Sequence, residues 1–215
     1  MSRPNPIFDQ VLGHLSDRQR ELVEAAYAAV EHSSEPVHRQ YLLALEDATG
    51  RDALEQLLRR TGRTLVSVDG VHWTSGYDDG VAADLTAAGW QPLAEIDRAV
   101  LTLVLVYSVA VPRSEEQLGA DVWVSTQPTS ADEILRYSRL PSTEAKAALA
   151  RLVAAGLLRT VRRGDSEGGY VPGPQLLRLT PAARERLQDQ LILAAAPDHP
   201  LAAAIRERRR QHQKG

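Results

Sequence analysis

Residues 17–30, DRQRELVEAAYAAV, and residues 97–110, DRAVLTLVLVYSVA, carry the same signature: Asp17, Arg18 and Tyr27 meet Asp97, Arg98 and Tyr107 at an offset of 80. Residues 53–68, ALEQLLRRTGRTLVSV, are matched by residues 148–163, ALARLVAAGLLRTVRR, at an offset of 95, so that Ala53, Leu54 and Leu57 fall on Ala148, Leu149 and Leu152. A third pair, GYDDGVAADLT and GYVPGPQLLRLT, ends at Thr86 and Thr180, an offset of 94. Three blocks in one order, with a single large jump after the first, describe a unit present twice and enlarged in its second copy near residues 112–128. Each copy must then bury its own apolar face, and 215 residues suffice for two small domains. The expected division is 8–92, 93–195 and a C-terminal helix with basic tail, 196–215.

Copy two spells out its elements. SADEILRYS opens with Ser130 and has Glu133 three residues on, the spacing of a capping box. The residue before Pro141 is pushed out of helical geometry, so LPST makes a turn, and Ser142 or Thr143 can cap the next helix. Ala145, Ala148, Leu149, Leu152 and Val153 follow helical spacing, and Gly156 suits the left-handed residue that ends it. LLRTVRR and QLLRLT read as strands joined by GDSEGGYVPGP, and Pro181 starts another helix. Copy one runs in parallel, with TLVSVDGVHWTS as a tight Asp-Gly hairpin. The class is α+β, mainly α.

This order, with ALxxLxxxGLL closing the third helix, a Gly-rich hairpin and the exit LRLTPAARERL, resembles the winged-helix proteins, a helix-turn-helix family with a β-hairpin wing. The resemblance implies two tandem winged-helix domains. It also implies double-stranded DNA as partner, with the third helix in the major groove and the wing on the backbone. Carried over by position, helix three of copy two offers Thr143, Glu144, Lys146, Ala147, Ala150 and Arg151. Base-reading pairs are scarce among them. Arg159, Arg162 and Arg163 of the wing suit phosphates, a solvated strand face being the alternative. Strand alternation sets Arg159, Val161 and Arg163 on one face, partly buried but with its arginines emerging at the strand ends, and Arg162 on the other, as the best single candidate for a backbone contact. Copy one offers Arg51, Asp52, Glu55, Gln56, Arg59 and Arg60, whose acidic members repel phosphates.

Charge sharpens these expectations. The net formal charge is -3, but residues 206–214 hold Arg206, Arg208, Arg209, Arg210 and Lys214 against Glu207, so the rest of the chain is at -7. That tail either touches nucleic acid non-specifically or solubilises the chain. An acidic body argues against strong non-specific DNA binding by the whole molecule. The run AVLTLVLVYSVAV, residues 99–111, is apolar nearly all round. It reads as a buried helix packed between copies or across a homodimer, and at 13 residues it is too short to span a bilayer. Trp123 is either an exposed anchor or, with Val122 and Val124, part of a core strand. Tandem domains of low basic charge also resemble the ScpB-like and MukE-like accessory subunits of SMC–kleisin complexes, which implies a protein partner instead.

Signals for catalysis are poor. There is no cysteine, and the six histidines (His14, His32, His38, His72, His199, His212) lack metal-ligand spacing. No nucleophile elbow, Walker loop or dinucleotide fingerprint occurs. The Gly-rich GDSEGG lies between strands, whereas a phosphate cradle needs a helix N-terminus behind it. Asp78 and Asp79 read as loop carboxylates. The expectation is a non-enzymatic, cytoplasmic DNA-binding protein of transcriptional-regulator type, without cofactor or metal and without a membrane partner; the alternative is an interaction subunit of a chromosome or defence complex.

Overall fold

The computed structural model describes residues 6–119, 122–123, 125–163, 166–195, 197–198 and 200–212. Helix makes up 63% and strand 12%, so the class is α+β, mainly α. The chain divides into two compact units. One runs up to Trp90 and adds Leu177–Thr180, a segment the linear division at 92/93 gives to the second domain. The other holds Gln91–Leu176 and the chain from Pro181 onward.

Unit one contains α1 (Pro6–Leu12), α2 (Asp17–His32), β1 (Val37–His38), 3-10 turns Arg39–Tyr41 and Leu43–Leu45, α3 (Ala48–Arg60), β2 (Arg63–Ser67), β3 (His72–Tyr77) and α4 (Asp79–Ala87). Ser16 and Gln19 close a capping box that starts α2, and Val23, Ala26 and Val30 form its buried stripe. Asp47 caps α3 by accepting from the Gly50 amide at 3.2 Å. Leu54, Leu57 and Leu58 of α3 then meet Leu12, Val23, Val30 and Leu42 in one core, against which Phe8 stands edge-on to Tyr27. Burying each such leucine contributes about 1.5–3 kcal/mol. Where a second α-helix was expected there are only the two 3-10 turns, with Leu42 buried between them.

The three strands pair antiparallel in the order β1-β3-β2, with Val37 opposite Trp73 and Leu65 opposite Ser75. The expected Asp-Gly hairpin is present. Gly70 takes φ 82°, and the Asp69 carboxylate accepts the amides of Val71 (2.9 Å) and His72 (2.7 Å) and meets the His72 ring at 2.8 Å. The His72 amide leads these contacts in holding the Asp69 carboxyl down at about 2. Arg178 completes the unit. Its guanidinium donates to the carbonyls of Val30, Glu31 and Ser33 at the C-terminal end of α2 and to the carbonyl and hydroxyl of Ser75. It satisfies acceptors that a helix end leaves open. Burial, then neighbouring Arg63, pushes this guanidinium below its ordinary value.

Unit two begins with α5 (Glu95–Leu105), a π-helical segment Val106–Ala110 and α6 (Val111–Ser114). The apolar run 99–111 is thus a helix broken by a π-turn. The Val104 carbonyl accepts from the buried Ser108 hydroxyl at 2.6 Å and from Thr129 at 3.4 Å. There follow α7 (Ala131–Ser138), α8 (Ser142–Ala154), β4 (Leu158–Arg163), β5 (Ser166–Pro172), a 3-10 segment Pro174–Arg178, α9 (Pro181–Ala195) and α10 (Pro200–His212). Val100 and Val104 pack with Ile134, Ala148, Leu149, Leu152 and Leu158. The capping box of Ser130 and Glu133 forms as the spacing requires. Pro141, not Ser142 or Thr143, occupies the cap of α8 and makes no side-chain cap bond. Gly156 is left-handed at φ 69°.

The second hairpin corrects the strand assignment. β5 is the Gly-rich stretch itself, SEGGYVP, whereas QLLRLT supplies the 3-10 segment rather than a strand. Gly169 lacks the side chain that would strike Pro128 Cβ and the Thr129 carbonyl, which lets Thr129 bridge to Tyr170. Trp123 is buried at 4% exposure without belonging to a strand; Val122 is exposed, and Val124 lies outside the described residues. Both units follow the path helix, short pairing segment, thirteen-residue helix, antiparallel hairpin, with two 3-10 turns before the thirteen-residue helix in unit one and the eight-residue α7 in unit two. In each, the segment after the first helix pairs with the second hairpin strand, Val37 with Trp73 and Thr129 with Tyr170.

Candidate nucleic-acid interface

The outer stripe of α8 is Thr143, Lys146, Ala147 and Ala150, related as i, i+3, i+4 and i+7, and all four are exposed. Glu144 is exposed beside them. The stripe is nearly flat, because two of its members are alanines. It carries one cation, Lys146. Arg151 extends it but is already engaged: Nε and Nη2 both donate to the carboxylate of Asp97, at 3.1 and 2.6 Å. Asp97 is 6% exposed, so the pair fixes α8 against α5 inside this unit. The hydrogen bond to Asp97 raises the Arg151 guanidinium above its ordinary value.

α8 leads through Gly156 into β4, where Leu158 is buried and Arg159 and Thr160 are exposed. Val161 is half-buried, and the register shifts between Val161 and Arg163. Such a bulge places an extra residue on one strand and breaks the alternation. The expected sorting of Arg162 and Arg163 onto opposite faces therefore does not follow. Arg159 is exposed beside the half-buried Val161, and the side chains of Arg162 and Arg163 lie outside those described.

The C-terminal segment is helical to His212. Ala202 and Ile205 are buried, and Arg208 lies between Glu185 (3.1 Å) and Asp189 of α9. Arg210 meets Glu207 at 2.7 Å, and Arg209 is half-buried. Two of the four tail arginines, Arg208 and Arg210, are thus matched by carboxylates of their own chain. Lys214 lies outside the described residues.

The structure adds residues the sequence did not single out. Arg136 and Tyr137, near the end of α7, and Arg139, just beyond it, are exposed immediately before α8. Tyr137 stacks on Tyr107, with ring centres 4.8 Å apart and planes 24° apart. Burial, then Tyr137 and Glu133, pushes the Tyr107 phenol upward. Arg139 has φ 55°, in the left-handed region. The only cue in the sequence is the density of RYSR before a proline turn. Behind Arg136 a cleft of about 410 Å³ is lined by Ser130, Asp132, Glu133 and Gly169, whose carboxylates disfavour an anion there.

Charge separates the units. Unit one carries nine basic and fourteen acidic residues, unit two sixteen basic and fourteen acidic. Among the described residues no group of three or more His, Asp or Glu is placed to hold a metal, and no helix is long and apolar enough to cross a membrane. Asp78 and Asp79 are not loop carboxylates. Asp78 caps α4, and Asp79 accepts the Thr180 hydroxyl with both oxygens at 2.9 Å. His38 and His72 meet edge to face at 5.2 Å. The chain matches no family model and no curated protein.

Proposed function

We propose that the chain binds duplex DNA through its second unit, as a winged-helix protein of transcriptional-regulator type, with α8 against a groove and the β4–β5 hairpin on the backbone. The observation that carries this reading is the exposed, small-residue stripe of α8 running into a strand whose Arg159 is exposed. Alanines at 147 and 150 allow close approach to a groove wall, while Lys146 and Arg159 supply charge to phosphates. Lys146 is the one cation on the stripe, so discrimination between sequences should be weak and binding mainly electrostatic.

A salt titration with duplex DNA tests it. Micromolar or tighter affinity at low salt, falling steeply as salt rises, is the expected result; no binding at any salt excludes it.

A second reading, an interaction subunit of an SMC–kleisin-like complex, draws on two observations: Arg151 and Arg208 are held by carboxylates, and unit one has a clear acidic surplus. Co-purification with a coiled-coil ATPase, together with failure to bind DNA, would favour it.

A further inference from the structure

We infer that Arg139, in the turn between α7 and α8, is a phosphate anchor held in place by its strained backbone; this rests on the DNA-binding reading above and names a contact additional to α8 and the hairpin. Arg139 is one of two non-glycine residues with positive φ among the described residues. Side chains other than glycine, asparagine and aspartate pay for that region with a steric clash, and such strain clusters where function holds a residue in place. Nothing local requires an arginine here. The turn needs a left-handed residue to end α7 before Pro141, and glycine would serve better. The Leu140 amide is satisfied by the Ser138 hydroxyl at 3.2 Å, independently of the Arg139 side chain.

Its surroundings favour an anion. Tyr137, half-exposed and stacked on Tyr107 just before the turn, carries a hydroxyl that can donate to a phosphate oxygen. No carboxylate of the described residues lies within ion-pair distance of Arg139, in contrast to Arg151, Arg208 and Arg210. Arg136, one helical turn earlier, has no ion pair there either, but it faces the cleft with Asp132 and Glu133 and is the poorer phosphate ligand. The anchor sits just before Ser142, where the exposed stripe of α8 begins. A backbone contact at this point would fix the register of α8 on the duplex without reading bases.

The test compares wild type, Arg139→Gly and Arg136→Ala in the full chain, by duplex binding across salt and by thermal melting. Arg139→Gly removes the charge and relieves the backbone, so a structural role and a phosphate role diverge. The expected result is an unchanged or higher Tm together with affinity roughly five- to tenfold weaker at 0.1 M salt and a salt slope lower by about one. Arg136→Ala should bind within about twofold of wild type. Wild-type affinity and slope in Arg139→Gly, with wild type itself binding, overturns the anchor and leaves the DNA reading intact. Absence of wild-type binding overturns both. A lower Tm for Arg139→Gly would show that the arginine supports the fold, and would likewise overturn the proposal.

Discussion

Arg151 stands on the outer surface of α8, with its side chain 55% exposed, and yet its charge belongs to Asp97. The two members of this pair are not equivalent. Removing the arginine strands a carboxylate that is 8% exposed by side chain; removing the aspartate leaves a guanidinium that water can solvate. Arg151→Ala should therefore lower the Tm by several degrees and Asp97→Ala by distinctly less, with the double variant close to Asp97→Ala, because it no longer strands a carboxylate. Thermal melting of the three proteins decides the matter. Equal losses in the single variants would mean that solvent reaches Asp97 freely. The same reasoning removes Arg151 from the list of groups open to a partner and leaves Lys146 and Arg159 there.

At the scale of elements, the segment Leu177–Thr180 shows how a fold uses a chain crossing. A side chain at Gly76 would overlap the Arg178 carbonyl and come within 2.8 Å of Val66 Cγ2. The glycine is thus what lets the segment lie on β3 and bring Arg178 to the carbonyls of α2. Gly76→Ala should cost about 2–3 kcal/mol, the range for a forced clash in a packed region. Gly70→Ala makes a useful contrast, since its φ of 82° strains any side chain but nothing lies within 4 Å. Its loss should be nearer 1 kcal/mol. Denaturant unfolding of both variants measures the difference, and a milder effect at Gly76 would show that the segment is not tightly docked. The sequence pattern misplaces the second strand of the hairpin in unit two for a related reason. SEGGYVP has the composition of a loop, but Gly169 admits Pro128 and Thr129 alongside the strand.

For the whole molecule, the tail is the place where composition and structure part company. Counted as charge, residues 206–214 offer +4. In the folded chain Arg208 is paired with Glu185 and Asp189, and Arg210 with Glu207, so fewer cations remain for phosphates. Deleting residues 206–215 should leave the fold in place, because Ala202 and Ile205 still pack. The DNA salt slope should fall by about three, not four. A drop of four would mean that the helix gives up its carboxylate partners on binding, and no change that it does not touch DNA.

The sequence by itself determined whatever depends on local spacing. The capping box at Ser130, the apolar stripe through Ala145, Ala148, Leu149 and Leu152, the left-handed Gly156 and the Asp-Gly hairpin are consequences of residues within a few positions of one another. Tertiary structure decided whatever depends on who stands across the gap. The capture of Arg151 by an aspartate 54 residues away, the capture of Arg178 by α2 and β3, and the π-turn satisfied by Thr129 all require the fold before the partner is present. Charge and periodicity are properties of a residue and its near neighbours. The freedom of that charge to meet a ligand is a property of the surface on which the fold leaves it.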